Sequence, residues 1–138
     1  MATKTLFCFI NKFLPVSQEE YQQLIAPITV IRKFDKKQII TSPGEIENYI
    51  YFIQEGLVRK YYKKDFEENI TQISREGQII HVQESFHSRM PSEFYVETIE
   101  PSVLYSISYS DLEKLYASSH KMEHLGRLVA TTTLVLKD

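Results

Sequence analysis

The sequence predicts a mainly β protein with flanking helices: a double-stranded β-helix (a jelly-roll or β-roll) with two short N-terminal helices and a long C-terminal helix. Three observations predict it. Between residues 28 and 109, short β-branched and aromatic runs are cut by turn residues at close intervals, the texture of a sandwich or barrel. The flanking stretches carry apolar residues at helical spacing instead. Ser-x-x-Glu signatures stand at Ser17–Glu20 and Ser110–Glu113, the capping-box spacing that opens a helix. With 138 residues the chain is read as one domain: helices over 1–27, a roll over 28–109 and a helix over 110–138.

Each element has its own reason. Leu6, Phe9, Ile10 and Phe13 share one helical face, and Pro15 ends that segment. Ser17 caps the next helix, Tyr21, Leu24 and Ile25 form its apolar face, and Pro27 stops it. Strands are expected at Ile28–Phe34, Gln38–Thr41, Tyr49–Gln54, Leu57–Lys63, Ile70–Ser74, Gln78–His81, Phe94–Ile99 and Ser102–Ser108. In the last, Val103, Tyr105 and Ile107 alternate with Leu104, Ser106 and Ser108, the period of a strand. The breakers are Asp35–Lys37, Pro43-Gly44, Glu55-Gly56, Lys64-Asp65, Glu76-Gly77, Gln83–Pro91 and Glu100-Pro101. From Ser110 one helix is expected to run to the end. Along it Leu115, Met122, Val129 and Leu136 recur every seven residues, and Ser119, Gly126 and Thr133 follow the first three by four. That stripe resembles the a/d seam of paired helices, so these seven residues are the candidate dimer interface.

Composition excludes several classes. Sixteen Lys and Arg against eighteen Asp and Glu leave a net charge of −2, without the basic excess of a domain that grips nucleic acid. Cys8 has no cysteine partner and sits among Leu6, Phe7, Phe9 and Ile10, so it reads as a small buried hydrophobe. There is no apolar run long enough to span a membrane and no secretory leader pattern, and a cytoplasmic location is expected. No G-x-S-x-G, no cysteine beside a histidine, no P-loop and no dinucleotide fingerprint is found. No enzyme activity, metal or cofactor is therefore expected. His120 and His124 share a helix face but lack further ligands, and read as surface residues. Arg59-Lys60 and Lys63-Lys64 read as the solvated end of a hairpin.

Several strings, in order, carry a resemblance. Phe34–Ile40 is followed by Ser42-Pro43-Gly44-Glu45, then by Tyr49-Ile50-Tyr51-Phe52-Ile53-Gln54-Glu55-Gly56-Leu57-Val58-Arg59, then by Glu76-Gly77-Gln78, and finally by Val103–Tyr109 leading into the helix. Together they resemble the cyclic-nucleotide-binding, or effector, domain of the Crp–Fnr family of bacterial transcription regulators. Gly44, Gly56 and Gly77 fall where that family's turns fall. The resemblance implies a phosphate-binding cassette before the last two strands. Its short helix offers backbone amides to a cyclic phosphate, between a Gly-Glu pair that holds the ribose and an Arg-Ser or Arg-Thr pair that neutralises the phosphate.

Aligned without gaps back from Ile107-Ser108-Tyr109, His81-Val82 stand at the Gly-Glu positions and Ser92-Glu93 at the Arg-Ser positions. Both anchors are replaced, and a carboxylate stands where the phosphate's arginine is due. The candidate ligand residues are His81, Val82, Glu84, Ser85, His87, Arg89, Ser92 and Glu93. The resemblance further implies a small-molecule effector, with a cyclic nucleotide as the family's ligand, and a homodimer through the C-terminal helix. The family continues past that helix into a DNA-reading helix-turn-helix, so no DNA contact is expected from these residues, which end at Asp138. The function expected is that of a ligand-sensing module of a transcription regulator. The alternatives are a ligand-free roll acting as an interaction or dimerisation module, and a cupin-like metal enzyme, which the absence of an H-x-H pair opposes.

Overall fold

The computed structural model describes the backbone of residues 5–137 and the side chains of residues 5–132. The strands are β1 Thr29–Phe34, β2 Ile39–Thr41, β3 Tyr49–Glu55, β4 Leu57–Lys64, β5 Glu67–Arg75, β6 Ile79–Ile80, β7 Tyr95–Thr98 and β8 Ser102–Ser108. All eight expected strands are present; the largest displacement is β5, which begins at Glu67 rather than Ile70. They form two antiparallel sheets, in the orders β1-β8-β3-β6 and β2-β7-β4-β5. The chain changes sheet at every connection except the β4–β5 hairpin, which is what winds it into a roll.

Alternation along β3 and β8 sorts residues between two cores. Tyr51, Ile53 and Leu104 point between the sheets, where they meet Phe34, Val58, Ile80, Val82 and Val96. Phe52, Tyr105 and Ile107 point the other way, into a second cluster built with the helices. The β3/β8 sheet is thus covered on both faces. Gly56, between β3 and β4, has φ +116, and a Cβ there would come within 2.1 Å of Ser102 Oγ and 2.8 Å of its Cα. Only a residue without a side chain lets the β3–β4 turn approach the start of β8 so closely.

The helical cover begins with α1, Leu6–Asn11, whose Thr5 side chain caps the Cys8 N–H. Cys8 is half-buried rather than buried. The second segment opens as α2, Gln18–Glu20, with the expected capping box in place, and continues through a π-turn (Tyr21–Ile25) and a 3-10 turn (Ala26–Ile28) that accommodates Pro27.

The C-terminal region departs from expectation. It is two helices, α4 Tyr109–Ser118 and α5 His120–Lys137. The first is capped by Ser108, whose hydroxyl accepts from Asp111 N–H, and not by Ser110. Ser119 takes an extended conformation (φ −142, ψ 111) and its hydroxyl accepts from Met122 N–H, so it divides the two helices. A serine hydroxyl that competes for backbone groups favours such a cap over a helix interior.

The heptad stripe is likewise redirected. Leu115 and Met122 belong to the chain's own core, Met122 being 1% exposed, and Val129 packs against that core. A Cβ at Gly126 would lie 2.4 Å from Tyr116 Oη, so the glycine makes room for a ring of the same chain. Leu115 and Met122 therefore turn inward, while Gly126 and Val129 remain half-buried. Thr133 and Leu136 lie outside the described side chains.

Candidate functional site

Between β6 and β7 lies α3, Gln83–Ser88, entered through the extended Val82 and closed by Arg89 in the left-handed conformation, φ +62. This helix occupies the stretch that the sequence marks as a break between strands and where the resemblance implies a ligand helix. One side of it faces the interior of the roll.

The interior there is held by two charged residues. Glu47, from the β2–β3 loop, is 2% exposed, and Lys60 of β4 is 1% exposed. The Glu47 carboxylate accepts the Val82 N–H at 3.0 Å and the Thr41 hydroxyl at 3.1 Å. Burial pushes this carboxyl above the ordinary carboxylate value, while the Val82 and Thr41 hydrogen bonds and the Lys60 cation act against the rise. Lys60 Nζ stands 4.6 Å from the centre of the Phe94 ring and 3.3 Å from Glu84 Oε1. A backbone amide at the entry of the helix is thus taken by an anion that belongs to the protein, with the field of a buried cation acting on it.

The rest of the segment is tied to the same loop. Ser85 Oγ accepts from Glu47 N–H at 2.9 Å and donates to Met90 O. The Arg89 guanidinium donates to Glu47 O, Phe86 O and Asn48 Oδ1, and stacks 3.9 Å over the Tyr109 ring at the start of α4. Ser92 pairs by backbone with Gly44 and Glu45, and its hydroxyl turns back on Phe94.

Residues 31–119 match the sequence model of the cyclic nucleotide-binding domain, more than half of the 138-residue chain. The chain belongs to this family. No curated protein matched in a sequence search. Among solved structures, the catabolite activator protein of Thermus thermophilus is similar with a TM-score of 0.75 at 15% identity, over 88% of this chain and 57% of that one. The sensor domain of the transcriptional regulator DNR from Pseudomonas aeruginosa is similar with a TM-score of 0.70 at 19% identity, over 93% and 83% of the two chains. The regulatory subunit of a cAMP-independent protein kinase A from Trypanosoma brucei gives 0.72 at 19% identity, over 97% and 44%. The chain therefore spans little more than half of the Thermus protein, and these likenesses concern the fold.

In this cyclic nucleotide-binding domain the sequence candidates divide. Val82, Ser85 and Arg89 are gathered around Glu47, and Glu84 pairs with Lys60. Glu93 is exposed, and Ser92 is buried and satisfied within its own turn. His81 and His87 lie on the opposite side of α3, with ring centres 6.2 Å apart and both close to Phe86. Burial pulls the His87 imidazole below its ordinary pKa.

Sequence reasoning missed Glu47 and placed Lys60 at a solvated hairpin end. The signal for Lys60 was present: it lies two residues from Val58 on β4, so strand alternation turns both inward. Nothing local distinguishes Glu47 from the neighbouring Glu45. His120 and His124 are exposed, as expected, and among the described residues no group of three or more metal-ligating side chains is assembled. No described helix is long and apolar enough to cross a membrane.

Proposed function

We propose that this domain is the sensor module of a transcription regulator of the Crp–Fnr kind, that it pairs with a second copy through α5, and that it does not answer to cyclic AMP. The observation that carries the reading is the Glu47 carboxylate seated on the Val82 amide. In the family this segment supplies amides to a cyclic phosphate. Here an internal carboxylate takes the amide that opens the helix, and a phosphate approaching it would meet like charge in a poorly screened interior. Ser92-Glu93 at the Arg-Ser positions removes the usual counter-charge as well. The Trypanosoma brucei structure, described as cAMP-independent, is a precedent for this fold working without that ligand.

The test is thermal unfolding with cyclic AMP or cyclic GMP at millimolar concentration. A nucleotide present at about a hundred times its Kd would add about 2.7 kcal/mol of stability. The expected result is no change in Tm. Micromolar binding by the wild-type chain would overturn the reading.

The complete internal pairing around Glu47 also supports a second reading, a ligand-free roll that serves only as an interaction module. A screen in which no small molecule shifts Tm would favour it.

A further inference from the structure

On the far side of α3 from Glu47 the structure holds a cavity of about 120 Å³. It lies between α1, the outward face of the β3/β8 sheet, α3 and the α4–α5 pair. Phe9, Phe52, Phe86, Met122 and Leu125 are among its walls, and no Asp, Glu, Lys or Arg lines it among the described residues. Its polar groups include His81, Gln83 and His87, all from the stretch that carries α3. Gln83 is 6% exposed, and its Oε1 is buried without a hydrogen-bond partner among the described residues. Buried acceptors are nearly always satisfied, so an orphan beside an apolar void calls for an explanation.

We infer that this cavity is an effector site for a neutral, compact, largely apolar molecule of about one aromatic ring that carries one hydrogen-bond donor, the donor meeting Gln83 Oε1. Three features argue for that chemistry. An engineered cavity of about 150 Å³ holds benzene, so the size suits a single ring. Without Asp, Glu, Lys or Arg in the described lining, an ionic ligand would find no permanent counter-charge. The open valence is on the Gln83 carbonyl oxygen, an acceptor that a donor on the ligand would satisfy.

The site is also placed to signal. Met122, Gly126 and Val129 of α5 form one wall, and Tyr116 of α4 interlocks with Gly126 there. The opposite wall is α3, which Arg89 ties to Tyr109 at the start of α4. A molecule between them stabilises one setting of α5 over another to the extent that it binds the two unequally. The signalling consequence rests on the sensor reading; the binding does not, and it is measured apart from cyclic nucleotide.

The experiment titrates the full chain with phenol and, separately, with benzene, following methyl and amide NMR signals. Phenol is expected to shift Met122, Leu125 and Gln83. It should bind about fivefold more tightly than benzene, the worth of one ordinary hydrogen bond. Gln83→Leu is expected to abolish that preference while keeping benzene binding. If the variant fails to fold, the phenol-to-benzene ratio in the wild type decides alone. Equal affinities, shifts confined to the Val82 and Tyr51 side of α3, or no binding of either probe at millimolar concentration would overturn the proposal, the last meaning that water alone fills the space.

Discussion

Replacing Lys60 by methionine isolates what the buried charges contribute. The substitution keeps the long apolar stem between the sheets and deletes the ammonium. Glu84, Phe94 and Glu47 are among the groups that lose it. Glu84 is 54% exposed on its side chain, so that ion pair is worth little. The Phe94 ring gives up a cation–π contact of about 1 kcal/mol. The third is Glu47, whose buried charge loses the Lys60 cation and keeps its hydrogen bonds from Val82, Thr41 and Tyr49.

Leaving a buried charge with no partner at all costs about 3–5 kcal/mol, but Glu47 keeps its hydrogen bonds and protonation sets a ceiling on the rest. Glu47 escapes its charge by taking a proton. From an ordinary value of 4.5, that costs at most about 3.4 kcal/mol at pH 7, with one pKa unit equal to about 1.36 kcal/mol. The ceiling falls by the same amount for each unit of acidification, to about 1.4 kcal/mol at pH 5.5.

The sign follows from linkage. Burial raises the Glu47 carboxyl in the folded state, so the folded chain holds its proton to higher pH than the unfolded chain. Stability is full below the unfolded pKa and is lost as pH rises through the folded one. Lys60→Met raises that folded pKa further and widens the window. We expect a loss of about 2–3 kcal/mol at pH 7, a fall in Tm of about 10 °C, and a clearly smaller loss at pH 5.5. The assay is urea unfolding at both pH values, with Glu47→Gln and the double variant completing a cycle. A loss below about 0.5 kcal/mol at pH 7, a loss independent of pH, or strictly additive single effects would refute the argument.

Two further outcomes follow from the helical cover. Gly126→Ala should gain about 1 kcal/mol of helix propensity, yet its Cβ would lie 2.4 Å from Tyr116 Oη and 2.6 Å from Cζ. Net destabilisation of about 1–2 kcal/mol by urea unfolding is expected, turning neutral or favourable in a Tyr116→Leu background; a stabilised single variant would contradict the packing. If two copies pair through α5, they do so on its outward flank, because Met122 and Leu125 are buried within the protomer. Sedimentation equilibrium should then show a dimer that Leu128→Glu weakens with Tm little changed, whereas a monomer at every concentration would remove α5 as the pairing element.

Strand positions, order and turns were legible because they rest on local chemistry. Alternation in Ser102–Ser108, the Pro-Gly and Glu-Gly breakers and the Ser17–Glu20 box act over a few residues, and the fold keeps all of them. So was the segment that carries α3, because ordered strings on both sides located it. What the sequence by itself determined is therefore a roll of eight strands flanked by capped helices.

Only the tertiary structure decided which faces are inside. Ser108 and Ser110 are equivalent caps in sequence, and the register of Tyr49 against Ser108 chooses the first. The stripe through Leu115 and Met122 fits either a twin or the chain's own core, and the break at Ser119 folds it inward. Glu47 and Lys60 look like surface charges until the β2–β3 loop and strand β4 carry them into the interior. Local patterns report the energy of a few neighbouring residues; burial depends on which distant segments arrive, and a single chain of letters does not carry that distance.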